Sequence, residues 1–248
     1  MPYQRCMRPD FYSINSFLKS NGYDSLAIHP FEKTNYNRST AYEYLGFEKT
    51  LWEDDFDENA DRMRGYISDH ALTEKIIEEY KNHKKESNSP WFNLSVSMQN
   101  HGGYWESTLD SNKKVNVDDS AFTETSRGSI EDLATGLHYA DLALGELIDY
   151  FKTVDEPTVI VMFGDHMSNA GQIGDTLLDQ SSLIAESDYD LSGFGKDTND
   201  TNAHNIYEQR RVPFMAWSNY KNVNKNCGTL SVTQLLPTVL SEYNSIMP

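Results

Sequence analysis

The sequence predicts an α/β fold in which a mostly parallel central sheet is flanked by helices. Helix-like and strand-like segments alternate along the 248 residues, as expected for this class. Hydrophobic residues make up 38% of the chain and charged residues 24%, which is enough apolar material for a substantial core. No linker is evident, so we expect residues 1–248 to belong to one domain.

Local signals predict the elements of the first half of the chain. Residues 13–21 form an amphipathic helical pattern that Gly22 ends, and residues 25–29 are typical of a strand that stops at Pro30. Ser68 or Asp69 can cap a helix running to residue 83, with acidic residues at its start and basic residues at its end. A second strand is predicted over residues 91–98. Loops are predicted over residues 31–40, 53–61 and 102–125.

The second half of the chain continues the alternation. Residues 158–163 are apolar on both faces, as expected of a central parallel strand. Residues 212–217 predict a fourth strand, residues 231–243 a closing helix, and the polar residues 167–205 a long loop. A long helix is predicted over residues 129–152, where apolar side chains recur every three or four positions: Ile130, Leu133, Leu137, Ala140, Leu144, Leu147 and Phe151.

Charge and cysteine content exclude several function classes. A net charge of −17 repels nucleic-acid phosphates, and there is no Lys/Arg cluster that an anionic membrane surface would attract. Cys6 and Cys227 provide neither a disulfide framework nor a C-x-x-C metal site, although one bridge between them is possible. No apolar run approaches the ~18 residues that span a membrane, and the start is not a signal peptide. We therefore expect this chain to be soluble.

Three apolar strands end abruptly in polar groups, in the segments SLAIH, LSVSMQNH and VIVMFGDH. Ligands of parallel α/β sheets bind at the carboxyl ends of the strands, so His29, His101, Asp165 and His166 can converge in space. A carboxylate and an imidazole together suit Mn²⁺, Zn²⁺ or Fe better than Ca²⁺, which favours Asp165 and His166 as metal ligands. The alternative is that Asp165 caps a turn and His166 is a polar loop residue.

The residues expected at the substrate each have a second interpretation. His101 lies beside two glycines that permit close approach of a ligand, or it is an ordinary hydrogen-bonded histidine. Arg38 can hold a phosphate through its guanidinium fork, or it is a surface arginine in a turn. Tyr36 can pack on a substrate or only cover the loop. The acidic residues 53–58 lack EF-hand spacing and are interpreted as a solvated face.

Six segments, in order, resemble the lipoteichoic acid synthase family of the alkaline phosphatase/sulfatase superfamily. They are the stretch from PYQRCMRPD to YLGFEK, then RGYISDHALTEKI, SVSMQNHGGY, HYADLALGELIDYFK, VIVMFGDHMS and RRVPFMAWSN, with LSVTQLLPTVL following. The resemblance covers about residues 2 to 240 and implies a sulfatase/alkaline-phosphatase-like fold. CMRPD shares only composition with the sulfatase nucleophile signature C-x-P-x-R, so Cys6 is rejected as a nucleophile.

The resemblance also implies an activity. Members of this family are membrane-anchored, with a catalytic domain outside the cell, and move glycerol phosphate from phosphatidylglycerol to a polymer or glycan acceptor. A Mn²⁺-bound threonine forms a covalent intermediate that an acceptor hydroxyl then attacks. The residue-by-residue matches assign the metal to Asp165 and His166. They place His29, Tyr36 and Arg38 in the loop that holds the glycerol phosphate group, and His101 near its phosphate. Tyr36 replaces the tryptophan that is frequent in the family.

One departure limits the expected activity. The nucleophilic threonine, a metal-binding glutamate and the transmembrane helices lie upstream of the PYQ segment in the family, so the chain resembles an N-terminally truncated catalytic domain. We therefore predict that it has no turnover alone, and that it binds Mn²⁺ (or Mg²⁺ or Zn²⁺) weakly or not at all. It could also form a homo-oligomer through an exposed sheet surface.

Three alternatives remain open from the sequence. The first is another enzyme of the superfamily, such as a sulfatase or a phosphoethanolamine transferase. The second is a non-catalytic paralogue that binds glycerol phosphate without turning it over. The third is an α/β domain with no site.

Overall fold

The protein is described by a computed structural model that covers residues 7–9, 11–104, 114–118, 124–166 and 211–243. The helices are α1 (Ile14–Ser20), α2 (Arg38–Tyr44), α3 (Asp69–Glu86), α4 (Glu124–Lys152) and α5 (Val232–Tyr243). The strands are β1 (Asp24–Ile28), β2 (Lys49–Leu51), β3 (Arg62–Met63), β4 (Tyr66–Ile67), β5 (Trp91–Ser95), β6 (Val159–Phe163) and β7 (Phe214–Ser218). Short 3₁₀ turns occupy Asn35–Asn37 and Glu53–Asp55.

The chain divides into two compact units, the first of which comprises residues 1–101, 105–117 and 131–147. Its centre is a three-stranded parallel sheet of order β2-β1-β5. Strand side chains alternate between faces, so Leu26 and Ile28 pack on one side with Leu72 and Ile76 of α3. Ala27 packs on the other side in the core cluster formed with Tyr42 and Trp52. Helices therefore flank this sheet, as the sequence predicts.

Capping residues set the ends of the helices in this unit. The Ser13 hydroxyl accepts a hydrogen bond from the backbone of Ser16 at the start of α1. Gly22, with φ of +83°, follows the end of α1, as its position in the sequence predicts. Ser68 caps α3 by accepting from the Ala71 backbone N–H at 3.0 Å. These caps are recognisable in the sequence because Ser and Gly have specific backbone roles at helix ends.

The second unit comprises residues 102–104, 118–130 and 148–248. Its strands β6 and β7 pair in antiparallel register, with Val161 opposite Ala216, and α5 packs on them through Leu235 and Val239. The Asn219 side chain closes the connection before β6. Its Nδ2 donates to the carbonyls of residues 151, 154 and 156, and its Oδ1 accepts from the Thr158 N–H.

Several sequence-based expectations differ from the structure. The partner of β6 among the described residues is antiparallel, because an apolar pattern indicates burial but not strand direction. The helix α2 begins at Arg38, inside the loop predicted over residues 31–40, and the strand predicted over 91–98 ends at Ser95. The predictions for Cys6 and for the loop 167–205 lie outside the described residues, as does part of the loop 102–125. Among the helices of the described ranges, none combines the length and the apolar composition of a membrane-spanning segment.

Candidate active site

His29 is a buried histidine placed directly after the central strand β1. Its side chain lies in the interior, with 1% of the residue exposed. The ring Nδ1 is 2.9 Å from the Val96 carbonyl oxygen. A carbonyl only accepts, so Nδ1 carries the proton in this contact. The other nitrogen, Nε2, is buried and has no hydrogen-bond partner among the described residues.

The surroundings of His29 keep its ring neutral. Burial lowers the pKa of His29 to about 4; the Val96 hydrogen bond opposes this shift, while electrostatic interactions with Arg38 and His101 add to it. With Nδ1 protonated, the neutral ring presents an unshared electron pair at Nε2. His29 is therefore an acceptor at its buried nitrogen near neutral pH.

Arg38 is held in place by an unusual stretch of backbone. Tyr36 and Asn37 both have left-handed conformations, with φ of 54° and 59°, and Arg38 begins α2 immediately afterwards. Such conformations cost roughly 1 kcal/mol or more for each non-glycine residue and are typical of functional loops. The Nε of Arg38 is buried without a partner in the described residues, whereas Tyr36 is 41% exposed.

A series of ring contacts connects His29 with His101. The ring of Phe31 lies 6.2 Å from that of His29 and 5.8 Å from that of Tyr66. The Tyr66 ring in turn lies 5.9 Å from that of His101, which is exposed. The first unit thus contains His29, Arg38 and His101, and both Arg38 and His101 influence His29 electrostatically. Sequence reasoning missed the aromatic residues Phe31 and Tyr66, although both lie within the segments that carry the resemblance.

Arg64 is a buried cation behind His101. Its side chain is 2% exposed, as is that of Asp132, and its Nε is 3.1 Å from Asp132 Oδ1. Its Nη1 donates to the Gln99 carbonyl at 3.2 Å, and its Nη2 donates to Asn100 Oδ1 at 3.5 Å. Sequence reasoning missed this residue. Two reasons explain this: its partner Asp132 is 68 residues away in the sequence, and an arginine in a hairpin is normally solvated.

The amide of Gln99 and the carboxyl of Asp69 lie beside the same segment. Gln99 Oε1 accepts from the Asp69 N–H at 2.9 Å, and Gln99 Nε2 donates to the Gly136 carbonyl at 3.2 Å. Burial raises the pKa of Asp69 to about 6, against the lowering effect of a Ser97 hydrogen bond and of the Arg64 charge. The segment that leads to His101 is thus fixed through its polar side chains.

Asp165 and His166 lie in the second unit, directly after β6. Asp165 Oδ1 accepts from the His166 backbone N–H at 2.9 Å, so the predicted alternative of a local turn contact is present. Asp165 Oδ2 is 3.5 Å from His166 Nε2, and both side chains are about 70% exposed, at 72% and 70%. A Cβ at Gly164 would lie 3.0 Å from the Val212 side chain, so any larger residue there would require Val212 to shift.

The donor set of this pair fits part of a metal site. Two ligands about 2.1 Å from a tetrahedral ion lie roughly 3.4 Å apart, close to the 3.5 Å between Asp165 Oδ2 and His166 Nε2. Within the described ranges, no group of three or more His, Cys, Asp or Glu residues is arranged to hold a metal ion. The two residues can therefore contribute two ligands.

The α/β fold and these groups define the class of protein, and the family model confirms it. The chain belongs to the sulfatase family, whose model matches residues 3–244. Its fold is that of the alkaline phosphatase/sulfatase superfamily. Over 243 residues it is 30% identical to a protein of Rhizobium meliloti (strain 1021) that is named as a candidate cyclic beta-1,2-glucan modification protein. The match covers 98% of this chain and 35% of that protein.

Solved structures agree with this assignment. The lipoteichoic acid synthase LtaP from Listeria monocytogenes matches 83% of this chain and 46% of its own, with 20% identity and a TM-score of 0.61. The Streptococcus pyogenes phosphoglycerol transferase GacH, in complex with sn-glycerol-1-phosphate, matches 91% and 51%, with 21% identity and a TM-score of 0.64. These findings confirm the predicted resemblance to lipoteichoic acid synthase-like members of the superfamily.

A metal complex occurs among the structures of the same fold. The C-terminal periplasmic domain of EcEptC from Escherichia coli, in complex with Zn, matches 83% of this chain and 52% of its own, with 15% identity and a TM-score of 0.53. The chain thus spans about half of these solved chains and 35% of the Rhizobium protein.

Proposed function

We propose that this chain forms the glycerol phosphate pocket of a metal-dependent phosphoglycerol transferase. The single observation that carries the proposal is a pair of buried polar atoms, His29 Nε2 and Arg38 Nε, without partners among the described residues. Buried polar atoms are normally hydrogen-bonded, so an unpartnered acceptor and an unpartnered donor in one region favour a ligand that has both kinds of group.

Glycerol phosphate has the required chemistry. His29 accepts at Nε2, so it suits a hydroxyl donor and not a phosphate oxygen. Arg38 is a permanent cation whose guanidinium donates to phosphate oxygens. The two residues therefore divide the ligand between them, with the glycerol hydroxyl at His29 and the phosphate at Arg38. GacH, which shares the fold, was solved with sn-glycerol-1-phosphate.

Two further residues complete the pocket in this proposal. His101 is exposed and held against the Tyr66 ring, where an imidazole N–H can donate to a phosphate oxygen. Tyr36, which is 41% exposed, offers an aromatic wall for the glycerol carbons. The neutral His29 and the charged Arg38 orient the ligand so that its phosphorus is presented in one direction.

We assign the metal ligands to Asp165 and His166, and Mn²⁺, Mg²⁺ or Zn²⁺ to the ion. When bound, such an ion polarises phosphoryl oxygens and lowers the pKa of a nucleophilic hydroxyl. Asp165 supplies an anionic oxygen and His166 a neutral nitrogen, which suits Mn²⁺ or Zn²⁺. Two protein ligands hold an ion weakly, so the affinity of these 248 residues for Mn²⁺ is expected to be low.

The proposed reaction moves glycerol phosphate from phosphatidylglycerol to a polymer or glycan acceptor at the extracellular face of the membrane. A threonine oxygen displaces diacylglycerol from phosphorus, and an acceptor hydroxyl then displaces the threonine. The resemblance matches the threonine to no residue of this sequence, so we expect no turnover from these residues alone. The names of LtaP and of the Rhizobium protein support a polymer or glucan acceptor.

The binding test titrates the chain with sn-glycerol 1-phosphate, inorganic phosphate and glycerol by calorimetry. Arg38→Gln should weaken glycerol phosphate binding by at least about ten-fold, since it removes a charge-assisted contact. His29→Asn should reduce the preference for glycerol phosphate over inorganic phosphate. Arg62→Gln is the matched control, because Arg62 is exposed and pairs with Glu53.

Equal affinities for glycerol phosphate and inorganic phosphate in the wild-type chain would contradict the hydroxyl role of His29. Tighter binding of phosphoethanolamine would favour the alternative transferase, because an ammonium group also donates to His29 Nε2. Binding without turnover, even together with the segment that supplies the threonine, would favour the non-catalytic paralogue. Absence of all binding would leave only an α/β domain without this site.

The metal assignment has its own test. Calorimetric or EPR titration with Mn²⁺ should detect weak binding that Asp165→Asn and His166→Ala abolish. His138→Ala is the control, because His138 is an exposed histidine of α4. Unchanged Mn²⁺ binding in both variants of the pair would overturn the assignment.

A further inference from the structure

We infer that Arg64 is a positioning residue for His101. We also infer that the lack of a side chain at Gly136 leaves the space that the Arg64 guanidinium occupies. The inference rests on the proposed function, because it gives His101 a ligand to bind. It goes further in assigning the placement of His101 to an arginine and a glycine that do not contact the ligand.

The guanidinium of Arg64 is a branched contact between three segments. Its Nε and Nη2 donate to the side chain and the backbone carbonyl of Asp132 on α4, at 3.1 and 3.0 Å. Its Nη1 and Nη2 donate to the Gln99 carbonyl and the Asn100 side chain, at 3.2 and 3.5 Å. The two residues immediately before His101 are therefore bound to α4 through one buried cation.

Gly136 makes this arrangement sterically possible. A Cβ at position 136 would lie 2.2 Å from Arg64 Nη2 and 2.2 Å from Asn100 Oδ1. Its carbonyl also accepts from the side-chain amides of Gln99 and Asn100, at 3.2 and 3.3 Å. Any side chain there displaces the Arg64 guanidinium and the Asn100 side chain, which bind each other beside His101.

The same hairpin reaches His101 from a second direction. Arg64 lies in the turn between β3 and β4, with φ of 53°, which is strained for a non-glycine residue. Tyr66, two residues further along, contacts the ring of His101 at 5.9 Å between centroids. The hairpin thus fixes both the backbone before His101 and the surface against which its ring lies.

Replacement of Gly136 by alanine tests the inference without removing any charge. The measurements are the His101 ring signal in ¹H–¹³C NMR spectra, the dissociation constant for sn-glycerol 1-phosphate and the melting temperature. Gly136→Ala should shift the His101 signal and raise the dissociation constant about ten-fold, as misplacement of a binding group does. Gly145→Ala is the matched control on the same helix, because a Cβ at position 145 would meet nothing within 4 Å.

Arg64→Lys is a second, independent variant. A lysine keeps the positive charge beside Asp132 but lacks the branched guanidinium, so the contacts to Gln99 and Asn100 are lost. It should change the His101 signal and the dissociation constant in the same direction as Gly136→Ala. Arg62→Lys in the same hairpin is the control, because Arg62 is exposed and should leave both unchanged.

The outcomes separate this inference from the proposed function. If Gly136→Ala and Arg64→Lys lower the melting temperature but leave the His101 signal as in the wild type, Arg64 has a structural role only and the inference is wrong. If the wild-type chain does not bind glycerol phosphate, the proposed function fails. A His101 signal displaced in both variants would still establish the positioning role.

Discussion

The two nitrogens of His29 have different surroundings, and this difference has a consequence for stability. One donates to the Val96 carbonyl and the other is buried without a partner among the described residues. Because burial lowers the pKa of His29 to about 4, the unfolded chain takes up a proton below pH 6.5 that the folded chain does not. The free energy of unfolding should therefore fall as the pH decreases from 6.5 to about 4.

His29→Asn makes this prediction measurable. The titrating group is lost, so the variant should lack a decrease on the order of 3 kcal/mol that the wild type shows over this range. Urea denaturation at several pH values measures it, with His138→Asn as the control. Asp69, whose pKa is raised to about 6 by burial, changes stability in the opposite direction. Since it is common to both proteins, the difference curve isolates His29. Parallel curves for the wild type and His29→Asn would contradict the prediction.

The residues of the site could be predicted where chemistry and position along a strand coincide. His29 directly follows a strand, so its position at the carboxyl end of that strand was evident from the sequence. The role of Arg64 was not evident from the sequence. Its contacts depend on a helix residue 68 positions away and on a glycine, and a glycine has no side chain that would indicate a function. Long-range pairing of this kind has no local pattern.

At the scale of elements, Asn219 fixes the connection between α4 and β6. Its Nδ2 faces three carbonyl oxygens, and its Oδ1 accepts from the Thr158 N–H. Asn219→Asp would replace the donor by an oxygen facing those carbonyls. We expect a loss of about 2 to 3 kcal/mol in the free energy of unfolding, since buried acceptors would lose their donor.

Chemical denaturation at neutral pH measures the effect of Asn219→Asp. Asn222→Asp is the control, because it makes the same chemical change at an exposed position three residues further along. Similar losses in both variants would mean that added negative charge, and not the lost donor, is responsible.

Most helices were predictable because their ends carry recognisable residues, such as Ser68 before α3 and Gly22 after α1. The helix α2 was missed because it follows the left-handed Asn37 and lacks a side-chain cap. The antiparallel pairing of β6 with β7 was missed because side-chain pattern records which faces are buried and not the direction of a neighbour.

At the scale of the whole molecule, charge is the dominant feature. The chain has 38 acidic and 21 basic residues, so we expect self-repulsion to oppose folding more than exposed ion pairs such as Lys152–Asp149 favour it. Added salt screens both effects. The net result should be a melting temperature that rises by a few degrees between about 20 and 500 mM NaCl.

Scanning calorimetry in NaCl and in KCl distinguishes screening from binding of a particular cation, because screening gives the same rise in both salts. A melting temperature that decreases with salt would show that attractive surface pairs outweigh the excess of acidic residues.

The fold class was predictable at this scale because alternation of elements and the six resembling segments both extend over most of the chain. The division into two compact units corresponds to no change in composition along the sequence.

The close contact between Gly136 and the Arg64 guanidinium has a consequence for the evolution of the family. A side chain at position 136 would occupy the space of the Arg64 guanidinium, so we expect substitutions at the two positions to depend on each other. We expect a lineage that acquires a side chain at 136 to have a shorter residue at 64 and another contact that holds the segment before His101. Aligned relatives should therefore show these two positions changing together, although they are 72 positions apart and belong to different elements.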